Sequence, residues 1–120
     1  MKNINIFNKI KHQGGITIDR KGKEFKGLGY GVAVSKETEI IIDNDLFIPE
    51  LIQAVMAKFE DYLVKPNTYL GVWVNPENNK VYFDVTEIIE DFEEAKKKGN
   101  NRKQLAIFDF ESMQAIDIVE

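Results

Sequence analysis

The sequence predicts an α+β fold in which an antiparallel sheet of about six strands carries two helices on one face. The chain has 120 residues, of which 43% are hydrophobic and 30% charged. This length and composition support one domain with a real core. Segments rich in β-branched residues alternate with polar turns, and two segments repeat apolar residues at helical spacing. The predicted order is three strands, a helix, two strands, a helix and two strands.

The first residues do not predict a single kind of element. Ile4, Ile6 and Ile10 are spaced in a way that fits either a short strand or a helical turn. Because lysines accompany them, residues 1–13 are also a candidate flexible, basic N-terminal segment. The predicted single domain covers residues 1–120.

Three strands are predicted before the first helix. Residues 16–18 are β-branched, and the polar stretch 19–23, with Gly22, is typical of a turn. We expect this strand to form a hairpin with residues 30–34. The third predicted strand is 39–42.

The two helices are predicted at 46–64 and 86–98. The first has apolar residues at three- and four-residue intervals, with Pro49 in its first turn and Pro66 after its last. The second begins at Thr86 as the cap and ends at Gly99. Its acids come early and its lysines late, which suits the helix dipole.

The other strands form pairs. Residues 69–74 and 81–85 flank the polar loop 75–79, which predicts an antiparallel hairpin. Two final strands are predicted at 105–110 and 115–119, separated by a polar turn.

Composition and charge exclude several classes of function. The chain has no cysteine and one histidine, His12, so thiol nucleophiles and histidine-rich metal sites are excluded. Residues 1–26 carry seven basic and two acidic side chains, whereas residues 27–95 carry four basic and fourteen acidic ones. An acidic body is a poor nucleic-acid binder. No apolar stretch is long enough to span a membrane, so we expect a cytoplasmic protein.

The acidic side chains around the second helix are the first candidate site. Glu87, Glu90, Asp91 and Glu94 follow helical spacing and are expected to share one face. A solvated surface with ordinary ion pairs to the following lysines is one interpretation. The others are a surface that binds a partner protein, and acids that coordinate magnesium or exchange protons.

Aromatic residues of the second hairpin are the other candidate site. Strand alternation places Trp73 on one face of the sheet and Val72 and Val74 on the other. Core packing is the default for Trp73 and Tyr82. If these rings remain outside, they form a rigid anchor of the kind that binding hot spots favour.

Six short segments carry a resemblance to a known group of proteins. They are GGITID at 14–19, GYGVAV at 29–34, GVW at 71–73, KVYFDV at 80–85, EA at 94–95 and QLAIFD at 104–109. Together they resemble a small domain of bacteriophage and mobile-element proteins, over residues 14–110. The resemblance implies a protein that occupies the surface of a host protein, and it implies no catalytic residues.

These observations favour a non-enzymatic phage or mobile-element accessory protein. We expect it to bind and inhibit or modulate a host protein, such as a nucleic-acid-binding CRISPR nuclease, as an anti-CRISPR protein with an acidic surface. We expect no cofactor, no metal, no membrane and no direct nucleic acid, and either a monomer or a homodimer.

Two other hypotheses stay open. One is a metal-dependent hydrolase that uses Asp84, Glu87 and Asp91. The other is a self-associating structural or immunity module in which the last strand pairs with another chain.

Overall fold

The computed structural model describes residues 2–119 and has an α+β architecture built on one antiparallel sheet. The α-helices are α1 (Asn3–Gln13), α2 (Glu50–Lys58), α3 (Glu60–Leu63) and α4 (Phe92–Asn101). The strands are β1 (Gly15–Ile18), β2 (Tyr30–Ala33), β3 (Glu39–Asp43), β4 (Thr68–Asn75), β5 (Lys80–Ile89), β6 (Ala106–Asp109) and β7 (Gln114–Asp117). The predicted antiparallel α+β class is confirmed, with seven strands instead of about six and four α-helices instead of two. Met1 and Glu120, which the predicted domain includes, lie outside the described residues.

The sheet is organised around β5. Its strand order is β1-β4-β5-β2-β6-β7, and β3 also pairs with β5. One edge of β5 pairs with β4 from Asn75↔Lys80 to Thr68↔Glu87. The other edge pairs with β3 in its first half and with β2 in its second half. Strands β2 and β3 therefore lie end to end, joined through a turn of 3₁₀ helix at Lys36–Thr38.

All four helices cover the same face of the sheet, which we call the core face. Val81, Phe83 and Val85 alternate along β5 and are fully buried on it. They belong to one core cluster with apolar side chains of α1, α2 and α3, among them Ile6, Ile10, Ile52, Val55, Met56, Phe59 and Leu63. A second, smaller cluster joins Ala95 of α4 to Val32 and Ile107. None of the helices within residues 2–119 is long and apolar enough to span a bilayer.

The N-terminal segment is a helix, not a strand or a frayed end. Helix α1 packs on the sheet, and Ile6 and Ile10 on its inner side are buried. The helix ends at Gly14, whose φ of 91° lies in the left-handed region and whose N–H donates to the carbonyl of Ile10. The predicted flexible segment 1–13 is corrected accordingly, because the apolar spacing follows the helical period and the sheet supplies a surface to cover it.

Strand β1 does not form the predicted hairpin with β2. It pairs instead with β4, from Gly15↔Trp73 to Ile18↔Leu70. Strand β2 lies between β5 and β6. The long segment between β1 and β2 returns beside β1 for a few residues, with the isolated bridge Ile18↔Glu24 and a hydrogen bond from the Phe25 N–H to the Thr17 carbonyl. A local turn therefore follows β1, but its return segment leaves the sheet, and the partner of β1 comes from the second half of the chain.

The helix predicted at 46–64 is shorter and broken. Residues 44–46 form a 3₁₀ turn, and α2 begins at Glu50 with Pro49 as its N-cap. Phe59 leaves the helical region at φ −104° and ψ 19°, which separates α2 from α3. Its buried ring packs against Tyr62. Packing of Phe59 into the core thus accompanies the break.

The helix predicted at 86–98 begins six residues later, at Phe92. Thr86 and Ile88 lie in β5, where both edges of the strand are paired, and β-branched residues favour that setting. Asp91 is the true N-cap, and its carboxylate accepts a hydrogen bond from the N–H of Glu94 at 2.9 Å. Gly99 does not end the helix. It lies within α4, buried where a Cβ would meet Ile118 Cδ1 at 2.5 Å.

The packing of α1 predicts that replacing two isoleucines of this helix by alanine lowers the free energy of unfolding by different amounts. Ile10 is fully buried and Ile4 is half exposed. We expect Ile10→Ala to lower the free energy of unfolding by about 2–5 kcal/mol, because it leaves a cavity. Ile4→Ala, the matched control, should change it by less than about 0.5 kcal/mol. Urea denaturation followed by circular dichroism measures both. Equal, small effects would contradict the packing of α1.

Candidate protein-binding surface

The face of the sheet opposite the helices, which we call the open face, has two unlike halves. Over one half, the rings of four residues pack together as a ring cluster, with centroids about 5 Å apart. The members of the ring cluster are Phe25, Tyr69, Phe108 and Phe110. They shield this half of the open face from solvent.

The other half of the open face carries an exposed row of apolar side chains. Trp73 lies directly opposite Tyr82, and Tyr82 lies directly opposite Ile41, so the three residues cross strands β4, β5 and β3 in line. We call these three residues the apolar strip. Trp73 is 46% exposed and Ile41 is 45% exposed.

The apolar strip is held rigidly. The rings of Trp73 and Tyr82 are stacked, with centroids 4.5 Å apart and planes 15° apart. The Nδ2 of Asn78 donates a hydrogen bond to the phenol oxygen of Tyr82 at 2.8 Å. Gly15 lies beside Trp73 in β1, where a Cβ would be 3.1 Å from the Trp73 Cβ. The strip therefore stands on paired strands and needs little ordering to bind a partner.

Carboxylates line both sides of the apolar strip. On one side, Asp84 of β5 lies directly opposite Glu39 of β3. On the other side, Asp43 pairs with Lys80, whose Nζ lies 2.9 Å from Asp43 Oδ1. The hydrogen bond and the charge of Asp43 raise the pKa of the Lys80 ammonium. Positive charge beside the strip is thus already neutralised, and negative charge is left over.

Of the titratable groups on this surface, Asp84 has the largest pKa shift. Burial raises the pKa of its carboxyl to about 7, and the nearby charge of Glu39 acts in the same direction. Its Oδ1 atom is buried, and no donor among the described residues bonds to it.

Glu87, the first of the four predicted acids, is not on the helix. It belongs to β5 and points to the core face. Its carboxylate accepts hydrogen bonds from Arg102 at 2.6 Å and from Lys98 at 3.3 Å. Burial is the largest single influence and opposes ionisation of this carboxyl, but the hydrogen bonds and the positive charges of Arg102 and Lys98 together outweigh it and hold the pKa below its ordinary value. Glu87 thus ties α4 to the sheet.

The other three acids do lie at the surface near the start of α4. Glu90 is exposed before the helix, and Asp91 is the cap described above. Glu94 lies one turn from Lys98, with 3.8 Å between the charged groups, which is an ordinary surface pair of small energy. These side chains do not form one helix face with Glu87. Their role in partner binding stays a prediction.

The geometry does not favour a hydrolase built on Asp84, Glu87 and Asp91. Asp84 and Glu87 are three positions apart on one regular strand, so they point to opposite faces of the sheet. Asp91 is engaged at the helix cap. Within residues 2–119, no group of three or more histidine, cysteine, aspartate or glutamate side chains is placed to hold a metal ion.

The self-association hypothesis involves the edge of the sheet. Strand β7 pairs only with β6 and lies at the end of the strand order. Its residues are mostly exposed. Pairing of this edge with another chain stays a prediction that light scattering would test.

Sequence reasoning identified Trp73 and Tyr82 but missed Ile41, Glu39 and the importance of Asp84 to this surface. Ile41 alternates with Ile40 and Ile42, which gives no sign of which isoleucine points outward. Only the pairing of β3 with β5 places Ile41 and Glu39 beside the hairpin.

Comparisons of the chain with protein-family models, curated proteins and solved structures give no match. The phage or mobile-element setting therefore stays a prediction.

The burial of Asp84 predicts a stability that depends on pH. The folded-state pKa of about 7 lies above the ordinary 3.8, so the folded protein binds more protons, and stability falls as the pH rises from about 4 to 7. We expect Asp84→Asn to raise the free energy of unfolding at pH 8 by up to about 4 kcal/mol, and to have little effect at pH 3.5. Urea denaturation at both values measures this.

Glu77→Gln, in the exposed hairpin loop, is the control and should leave the pH dependence unchanged. A fall in stability between pH 4 and 7 that persists in Asp84→Asn would contradict the assignment.

The ion pairs of Glu87 predict that this side chain stabilises the folded protein. We expect Glu87→Ala to cost about 1–3 kcal/mol, because it removes bonds to two cations at a half-buried site. Glu94→Ala should cost less than about 0.5 kcal/mol, because that side chain is exposed. Thermal unfolding compares them. A Glu87→Ala variant as stable as Glu94→Ala would show that Glu87 does not hold α4 to the sheet.

Proposed function

We propose that this protein is a non-enzymatic binding protein that docks a partner protein on the apolar strip. The observation that carries the proposal is the exposed ring of Trp73, stacked on the partly buried Tyr82 and in line with the exposed Ile41. Tryptophan and tyrosine on a rigid support are the residues that dominate protein interfaces. A large apolar group left in water on an otherwise well-packed fold is typical of an interaction site.

Charge around the strip supports a protein as the partner. Glu39 and Asp84 lie on one side, and Lys80 on the other side is paired with Asp43. Phosphate groups would be repelled here, because nucleic-acid surfaces require unpaired cations. An apolar protein surface with basic groups at its rim is complementary to the strip.

The specific form of the proposal is an inhibitor or modulator of a host protein. The phage or mobile-element resemblance supports it, as do the fourteen acidic residues of segment 27–95. A CRISPR nuclease fits the chemistry because its basic groove binds nucleic acid and attracts carboxylates. In this form, the exposed Glu90 and Glu94 steer the encounter, and the apolar strip supplies the lasting contact.

Capture with matched variants tests the proposal. The wild-type protein, Trp73→Ala, Ile41→Ser and the control Val64→Ser are immobilised and exposed to the same host lysate. Val64 is a second exposed apolar residue, 52% accessible, which follows α3 on the helical side. We expect a host protein that wild type and Val64→Ser retain and that the two strip variants lose by at least tenfold.

The result that overturns the proposal is equal retention by all four proteins. Circular dichroism first establishes that each variant is folded. If the captured protein is a nuclease, a DNA-cleavage assay should show inhibition by Val64→Ser and not by Trp73→Ala. If inhibition is lost only in a double variant with both Glu90→Lys and Glu94→Lys, the binding site lies instead at the start of α4.

A further inference from the structure

Next to the apolar strip, one row of the open face contains a position without a side chain, Gly71. The row crosses the sheet as Thr17, Gly71, Asp84 and Glu39, in directly paired positions of β1, β4, β5 and β3. At Gly71, a Cβ would meet only the backbone oxygen of Asp84 at 3.7 Å and Thr86 Oγ1 at 3.9 Å. Gly71 therefore leaves room for at least one added carbon atom directly opposite Asp84.

The Asp84 carboxylate in this row lacks a counter-charge. Its Oδ1 is buried without a hydrogen-bond donor among the described residues. The group directly across from it, Glu39, has the same sign. The nearest lysine along β5, Lys80, is paired with Asp43. A buried acceptor without a partner is rare in folded proteins and calls for an explanation.

We propose that Asp84 receives a cationic side chain, arginine or lysine, from the partner protein that docks on the apolar strip. The cation enters over Gly71 and bonds to the carboxylates of Asp84 and Glu39. This proposal rests on the proposed function, and it adds the chemistry of the residue that the partner must present.

The neighbours of the row fit the stem of such a side chain. Residues two apart on a strand lie on the same face about 7 Å apart. Trp73 and Tyr82 therefore border the row on one side, and Tyr69 of the ring cluster borders it on the other. Aromatic rings attract cations and cover the aliphatic carbons of arginine and lysine.

Two carboxylates also favour an organic cation over a metal ion. Asp84 and Glu39 provide only two acidic side chains, and residues 2–119 hold no group of three metal-binding side chains. A guanidinium offers five donors, enough to bond both carboxylates at once.

Titration with short peptides tests the inference. The probes are acetyl-Leu-Arg-Leu-amide, its lysine analogue, and acetyl-Leu-citrulline-Leu-amide, the neutral isostere of the arginine peptide. Amide ¹H–¹⁵N spectra at pH 8 report binding. We expect both cationic peptides to shift the signals of Gly71, Trp73 and Asp84, and the citrulline peptide to bind at least tenfold more weakly. A stronger effect of the arginine peptide than of the lysine one identifies the guanidinium as the preferred group.

Two variants separate binding from folding. Asp84→Asn removes the charge, and Gly71→Val adds a side chain directly opposite Asp84 while it leaves the carboxylate in place. Both should lose the preference for the cationic peptides over the citrulline peptide. Glu77→Gln, on the hairpin loop, should bind as wild type does.

Binding of the cation should also depend on pH. The charged or titratable groups that face Asp84 are Glu39 on β3, Tyr69 on β4 and Tyr82 on β5 itself. With a carboxyl pKa of about 7, we expect the arginine peptide to bind about tenfold more tightly at pH 8 than at pH 6. The citrulline peptide should show no such change.

Equal binding of the arginine and citrulline peptides, or no binding of either, would overturn the inference. So would unchanged cation preference in both Asp84→Asn and Gly71→Val. The proposed function fails separately. If Trp73→Ala and Ile41→Ser lose the captured host protein while Asp84→Asn and Gly71→Val retain it, the apolar strip is the docking site. The proposal that Asp84 binds a cationic side chain of the partner is then wrong.

Discussion

Backbone pairing along both edges of β5 is the constraint on which the rest of the structure depends. Three strands bond to this one segment, so its register fixes theirs. Side chains alternate between faces, and Phe83 and Asp84 are therefore forced to opposite sides of the sheet. A slip of one residue would place Asp84 beneath the helices and Phe83 in the open row. The core and the candidate surface are specified together by the same alternation.

Covering only one face with helices leaves the other face to be completed by other means. The ring cluster completes half of it, with Phe25 supplied by the long segment after β1 and Phe110 by the turn that follows β6. Within residues 2–119, no equivalent ring cluster covers the apolar strip, and Trp73 and Ile41 stay exposed. Because its residues stand on paired strands and not on loops, little conformational entropy is lost when another surface covers it. Exposed aromatic side chains on a rigid support are the arrangement that protein interfaces favour.

The sequence was sufficient to predict strand pairing where the two strands are close together in the chain. The hairpin of β4 and β5 was predicted, because strong alternation flanks a short polar loop. Prediction failed where partners are distant. The sequence of residues 86–89 resembles the start of a helix, but pairing with β2 and β4 makes these residues part of a strand. Nothing in the sequence near Gly15–Ile18 indicates that this strand pairs with β4, beginning at Gly15↔Trp73. Of the site, Trp73 and Tyr82 were predictable from alternation. Asp84 and Glu39 were not, because their proximity arises only from the pairing of β3 with β5.

The pairing of β1 with β4 also determines when this chain can fold during its synthesis. Helix α1 and strand β1 leave the ribosome early, yet the strand that supports them, β4, is made only after α2 and α3. Until then, Ile6, Ile10 and Ile16 have no sheet to pack against. Non-local pairing of this kind delays burial of apolar surface and exposes the nascent chain to aggregation. The segment of α1 and β1 is therefore exposed until its partner strand β4 has been made.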